Sequence, residues 1–172
     1  MRRLGLGELD AAIGAAGLLA LLFLPWFGAR RFEHGWTVYA PLTDHGFLGL
    51  APDSGWRTLG WLTLLFCIAA IAAGAWLFVA TAIDRPLAQQ VAAAVVTATA
   101  GTFAPIVLAL RVLVFQPGAN ASTSIQAGAW LGLLAALLIA IGGWWAIKDD
   151  RTDARESAYT PPSPRPAPPL RS

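Results

Sequence analysis

The chain has 172 residues and a formal net charge of +2 at pH 7. Hydrophobic residues make up 56% of it and charged residues 13%, against ~45–50% and ~25% in soluble domains, and the mean hydropathy is +0.58. This mix excludes a soluble globular domain and a disordered chain, a single cysteine excludes a disulfide scaffold, and the small net charge makes no case for nucleic acid. An integral membrane protein remains.

Residues 11–29, 58–83, 86–110 and 112–147 carry no charged side chain. A hydrocarbon core of ~30 Å needs ~20 apolar residues in helix, so each of the first three stretches holds one span. The fourth is interrupted by the polar turn cluster Gln116-Pro117-Gly118-Ala119-Asn120 and holds the end of one span and all of the next. The spacing predicts an all-α membrane protein, a four-helix transmembrane bundle over 1–150 with helices near 9–28, 58–83, 87–115 and 126–147. The apolar runs are continuous, without the two-residue alternation of a membrane β-barrel.

Helix 9–28 follows Arg2 and Arg3 as a signal peptide would, but Phe27 stands where a cleavage site needs a small residue. The outer loop, 29–57, holds Phe32, Trp36, Tyr39, Phe47 and Trp56, too aromatic for a free tether, and is expected to fold back onto the helix ends. It also carries Glu33-His34 and Asp44-His45. Their spacing matches no metal motif, so these are read as solvated loop residues.

In the third helix Pro105 removes the donor for the Gly101 carbonyl and predicts a kink. Arg111 is the one charge that falls inside a span. An intramembrane cation of this kind either snorkels to the headgroups or is paired, and its candidate partners on the same side are Glu33, Asp44 and Asp53. In the fourth helix Gly128, Gly132, Ala136 and Ala140 recur every four residues, a helix-packing ridge that lets backbones approach closely in lipid. It serves packing within the bundle or, through Gly128 and Gly132, a dimer seam. Residues 151–172 end in a segment with six prolines among its last twelve residues and read as a Pro-rich, disordered cytoplasmic tail.

Trp26, Trp56, Trp61 and Trp130 fall at the expected outer ends of spans and Trp144 and Trp145 at an inner end, the usual interfacial belt. Four spans put both termini on one side, together with eight of the twelve basic residues, Arg2, Arg3, Arg85, Lys148, Arg151, Arg155, Arg165 and Arg171. The positive-inside bias predicts cytoplasmic N- and C-termini.

Neither histidine lies in a predicted span, Cys67 stands alone mid-span, and no acid lies within the apolar stretches. Haem ligation in the bilayer, dithiol exchange and a carboxylate proton relay therefore have no residues to use. Phosphate-loop, dinucleotide, HExxH and GxSxG signatures are missing from the sequence as well. No cofactor, metal or catalytic residue is expected.

Leu24-Pro25-Trp26-Phe27, Gly55-Trp56, Arg111 with Pro117, Gly128-Ala129-Trp130-Leu131-Gly132-Leu133-Leu134 and Gly142-Gly143-Trp144 together resemble a group of small, uncharacterised four-transmembrane-helix membrane proteins of actinobacteria. The similarity covers about 1–151, with the helix-four segment its most specific part and a first loop longer than is usual for the group. The resemblance implies a multi-pass protein of the plasma (inner) membrane and carries no activity. The expectation is a non-enzymatic accessory or structural protein of the cell envelope, embedded in the lipid bilayer and contacting a membrane-protein partner or a second copy. A small transporter or channel subunit, with Pro105 and Arg111 near its pathway, is the alternative.

Overall fold

The structure, a computed structural model of the chain, describes residues 5–33, 36–40, 54–83, 85–116 and 123–158. The chain is mostly helical. Helix α1 spans Leu6–Leu21, strand β1 Phe27–Glu33, strand β2 Trp36–Ala40, the single turn α2 Gly55–Thr58 and α3 Trp61–Ala82. Helix α4 spans Leu87–Ala109 and continues as a π turn over Leu110–Val114, followed by β3 Thr123–Ile125 and α5 Ala127–Ala158. The expectation of an all-α chain is therefore corrected by a small sheet.

Three stretches, Trp61–Ala82, Ala88–Val114 and Ala127–Asp149, are long and apolar enough to cross a membrane. The long helices form a ring in which α1 packs on α3 and α5, and α4 packs on the same two. Neighbours run antiparallel, as the pairing of Gly7 with Ala146 and of Gly14 with Ala135 shows for α1 and α5.

Helix α1 begins at Leu6 and stops at Leu21, against the expected 9–28. Its end follows from Pro25, which lacks an N–H and disfavours helix in the residue before it. The chain tightens instead, Phe23 N donating to Ala20 O and Leu24 N to Leu21 O, each at 3.1 Å. Pro25 then bridges to Ser54 and Phe27 enters a strand. The second helix expected from 58 starts at Trp61, because Gly60 takes a φ of 38° and separates it from α2. That left-handed conformation is open to glycine at little cost. At the other end α5 runs to Ala158, so the first eight residues of the expected tail, 151–158, are helical.

The inside of the ring is rich in small residues, with Leu18, Leu77, Leu108 and Ile139 buried among them. Ala11, Ala70, Ala93, Ala104, Ala129 and Ala136 are fully buried, whereas Leu65, Val79, Phe103, Ile106, Leu134 and Trp144 face outward. In water this would be upside down; in lipid it is the expected order, because large side chains gain nothing by leaving the hydrocarbon and small ones let backbones meet. At Gly142 an added Cβ would lie 2.5 Å from both Ala11 N and Gly7 O, and at Gly143 it would lie 2.5 Å from Ala98 N on α4. Two successive glycines thus serve two different seams. Between α3 and α4, the buried Thr97 hydroxyl donates to Ala73 O at 2.8 Å.

These seams set two outcomes. Gly142→Leu pushes α1 off α5 and is expected to abolish the folded, monodisperse protein in detergent, whereas Gly17→Ala, whose Cβ meets nothing closer than 3.8 Å, is expected to leave it intact. Thr97→Val loses one interhelical hydrogen bond at nearly constant volume and is expected to cost about 1 kcal/mol, read by thermal unfolding in detergent.

Candidate functional site at the sheet end of the bundle

The residues able to do more than pack gather where α1 and α4 end and α3 and α5 begin. β1 lies between β2 and β3 in an antiparallel sheet, with Ala29 opposite Ala40, Glu33 opposite Trp36 and Phe27 opposite Ile125. The sheet joins the chain leaving α1 to the chain entering α5. Gln126 N donates to Trp26 O at 2.9 Å, the buried Ser124 hydroxyl donates to Gly28 O at 3.1 Å, and Gln126 Nε2 donates to Ser124 Oγ at 2.9 Å.

Trp26 closes this end. The expectation that it sits in the interfacial belt is corrected, since it is 0% exposed. The indole lies against Gly132 on one side and against Gly55 on the other, where an added Cβ would come within 2.7 Å of its Nε1. That Nε1 donates to Leu21 O at 2.8 Å, the carbonyl of the last residue of α1, which Leu24 N shares. The turn at Pro25 thus swings Trp26 inward. Sequence position put this residue at the membrane edge, and only the packing shows it to be a plug. Trp61, at 78% exposed, and Trp130 and Trp144 do face outward.

The ridge residues of α5 look into the bundle. Gly128 meets the Pro25 carbonyl and Gly132 the Trp26 ring, Ala136 is fully buried, and Ala140 packs its backbone on Gly101 of α4. Pro105 sits within α4, whose helix continues through it. It lines a groove of about 370 Å³ with Thr102, Ile106, Leu133 and Leu137 on the outward side of the α4–α5 seam. Thr102 donates to Ala98 O at 2.6 Å and accepts from Trp144 Nε1 at 3.1 Å, so the polar group in the groove wall is already engaged.

Arg111 lies in the π turn and is half-buried. Its Nη2 donates to Thr58 O at 2.6 Å and its Nη1 to Phe115 O. The cation therefore tethers the end of α4 to the last residue of α2 through main-chain carbonyls, an acceptor type that sequence spacing could not single out. Of the carboxylates considered as partners, Asp44 and Asp53 lie outside the described residues, and Glu33 stands in β1. His34 and His45 also lie outside them. Among the described residues no group of three or more His, Cys, Asp or Glu is placed to hold a metal ion.

Three buried polar atoms at this end have no hydrogen-bond partner among the described residues, namely Ser54 Oγ, Trp56 Nε1 and Gln116 Oε1. Trp56 packs edge-on against Phe23, with ring centroids 5.7 Å apart. The end is thus held by a few directed bonds, with spare donors and acceptors beside them. Glu8 Oε2 is a further such atom, at the opposite end of α1.

Trp26→Phe removes the bond to Leu21 O and leaves a gap between Gly55 and Gly132, so a loss of about 1–3 kcal/mol is expected. Trp61→Phe is expected to change the same thermal unfolding midpoint little. Gly132→Ile forces a branched side chain into the Trp26 ring and is expected to remove folded protein; a stable monomer from this variant would show the ridge to be a dimer seam instead.

No family model, no curated relative and no solved structure matches the chain.

Proposed function

We propose that the chain is a multi-pass protein of the plasma (inner) membrane with four crossings, and that it acts as a non-enzymatic accessory or structural component of the cell envelope. The observation that carries this reading is the outward display of many large apolar side chains along three helices long and apolar enough to cross a membrane, around an interior rich in alanine and glycine.

The fourth crossing is α1. Its 16 residues reach only about 24 Å as a helix, short of ~30 Å. It nevertheless lies along α5 from Gly7 beside Ala146 to Pro25 beside Gly128, nearly the whole of the apolar stretch Ala127–Asp149. The tightened turn over Leu22–Leu24 supplies the missing length. Four antiparallel crossings put both termini on one side, and the distribution of basic residues favours the cytoplasm for it. The resemblance to small actinobacterial four-helix membrane proteins agrees with this layout.

An accessory role is supported by how the spans use their polar groups. The hydroxyls of Thr81, Thr97 and Thr102 donate to main-chain carbonyls of α3 and α4, and backbone meets backbone at the α1–α5 and α4–α5 seams. Thr97 bonds across the α3–α4 seam and Thr102 also accepts from Trp144 of α5, whereas Thr81 is engaged within α3, so these hydroxyls serve packing and the local backbone. Alkaline phosphatase fused after Asn120 is expected to be active and the same enzyme fused after Ser172 inactive, with green fluorescence at both termini. Phosphatase activity after Ser172 would overturn the four-crossing topology. Proteoliposome flux lost in an Arg111 variant would replace the accessory role with transport.

A further inference from the structure

Between residues 86 and 147, Arg111 is the single charged side chain. A guanidinium carries five N–H donors in one plane. The Thr58 and Phe115 carbonyls take one each from Nη2 and Nη1. Both acceptors are neutral, so they orient the group without cancelling its charge. No carboxylate joins it among the described residues. The group is half-buried, and around it Trp61, Leu62, Leu110 and Phe115 are exposed at the adjoining ends of α3 and α4. A cation oriented by two carbonyls and unpaired among the described residues is therefore carried at the end of an apolar helix, with an aromatic and aliphatic surface beside it.

We propose that Arg111 binds the phosphate of a phospholipid headgroup in the leaflet at the sheet end of the bundle. The planar fork suits two phosphate oxygens, and a charge-assisted bond of this kind is stronger than the carbonyl bonds that orient it. The aliphatic stem lies along the apolar surface while the head reaches the polar layer. The two carbonyl bonds hold the side chain in place beforehand, which lowers the entropy lost on binding. The lipid in turn neutralises the charge and clamps α4 to the α2–α3 junction.

This rests on the membrane reading above, and the test separates the two. Full-length protein in dodecyl maltoside is titrated with phosphatidylglycerol, phosphatidylcholine, a diacylglycerol of the same chains, and inorganic phosphate. Thermal midpoint and lipid retained by native mass spectrometry are read. Both phospholipids are expected to raise the midpoint by several degrees and to be retained, with diacylglycerol and inorganic phosphate ineffective. Arg111→Gln is expected to weaken retention about tenfold. Arg111→Lys, which keeps the charge and loses the fork, is expected to weaken it about threefold and serves if the glutamine variant does not fold. Arg57→Gln, at the same end, is expected to retain lipid as wild type does.

Equal retention by wild type and both Arg111 variants overturns the site, as does an equal effect of diacylglycerol. Inorganic phosphate matching the phospholipids overturns the lipid in favour of a free anion. Loss on Arg57→Gln reduces the effect to general surface charge and overturns it too. Protein that stays dispersed without detergent refutes the membrane reading itself.

Discussion

Close approach of helix backbones is the constraint on which the rest of this structure depends. In hydrocarbon a leucine gains nothing by turning inward, so the association of helices rests on dispersion contacts and a few hydrogen bonds, both of which need short distances. The chain meets that need with glycine and alanine on its inner faces. Gly7 and Gly14 of α1 and Gly142 of α5 bring two backbones together, while Gly143 and Gly101 do the same for α5 and α4. α5 thus contacts both of its neighbours along most of its apolar length, and its position governs where α1 and α4 can lie.

The same constraint shapes the sheet end. Helices that pack closely have little room between their ends, and the chain must reverse there with its backbone groups satisfied. Pro25 stops α1, β1 pairs with β3 beside α5, and the Trp26 indole fills the remaining space while its N–H caps the end of α1. The glycines at 55 and 132 are the complement of that ring. Arg111 ties α4 to α2 by reaching a carbonyl of another element, as Trp26 ties the end of α1 to α5 by its N–H bond to Leu21 O and its ring on Gly132. A membrane protein with few polar groups places several of them where its helices end, since it is there that main-chain carbonyls lack partners.

A lone arginine in a span invites a transport reading, but the contacts Arg111 makes are those of a structural tether. Its acceptors are carbonyls of helix ends, and the large side chains at the adjoining helix ends, Trp61, Leu62, Leu110 and Phe115, are exposed. The groove at Pro105 is likewise apolar, its threonine already bonded within α4 and to Trp144. Most of the polar groups described in the spans are engaged with main-chain carbonyls or with each other.

Much of the architecture was legible in charge and hydropathy alone. The uncharged stretches located α3, α4 and the apolar part of α5 to within a few residues, because the cost of a charge in hydrocarbon is large and local. The four-residue spacing of Gly128, Gly132, Ala136 and Ala140 marked a packing face, because helical periodicity is a property of the sequence itself. What these signals could not assign was a partner for each face. That Gly132 is the bed of Trp26, that Gly142 and Gly143 serve opposite neighbours, that residues 27–33 leave the helix for a strand and that Arg111 is held by Thr58 all depend on residues far apart in the chain. Hydropathy and period are sums over neighbours in sequence, and they determined which segments could enter the membrane. Shape complementarity and hydrogen bonding are set between segments, so only the tertiary structure decided which of them meet and where the polar groups find their partners.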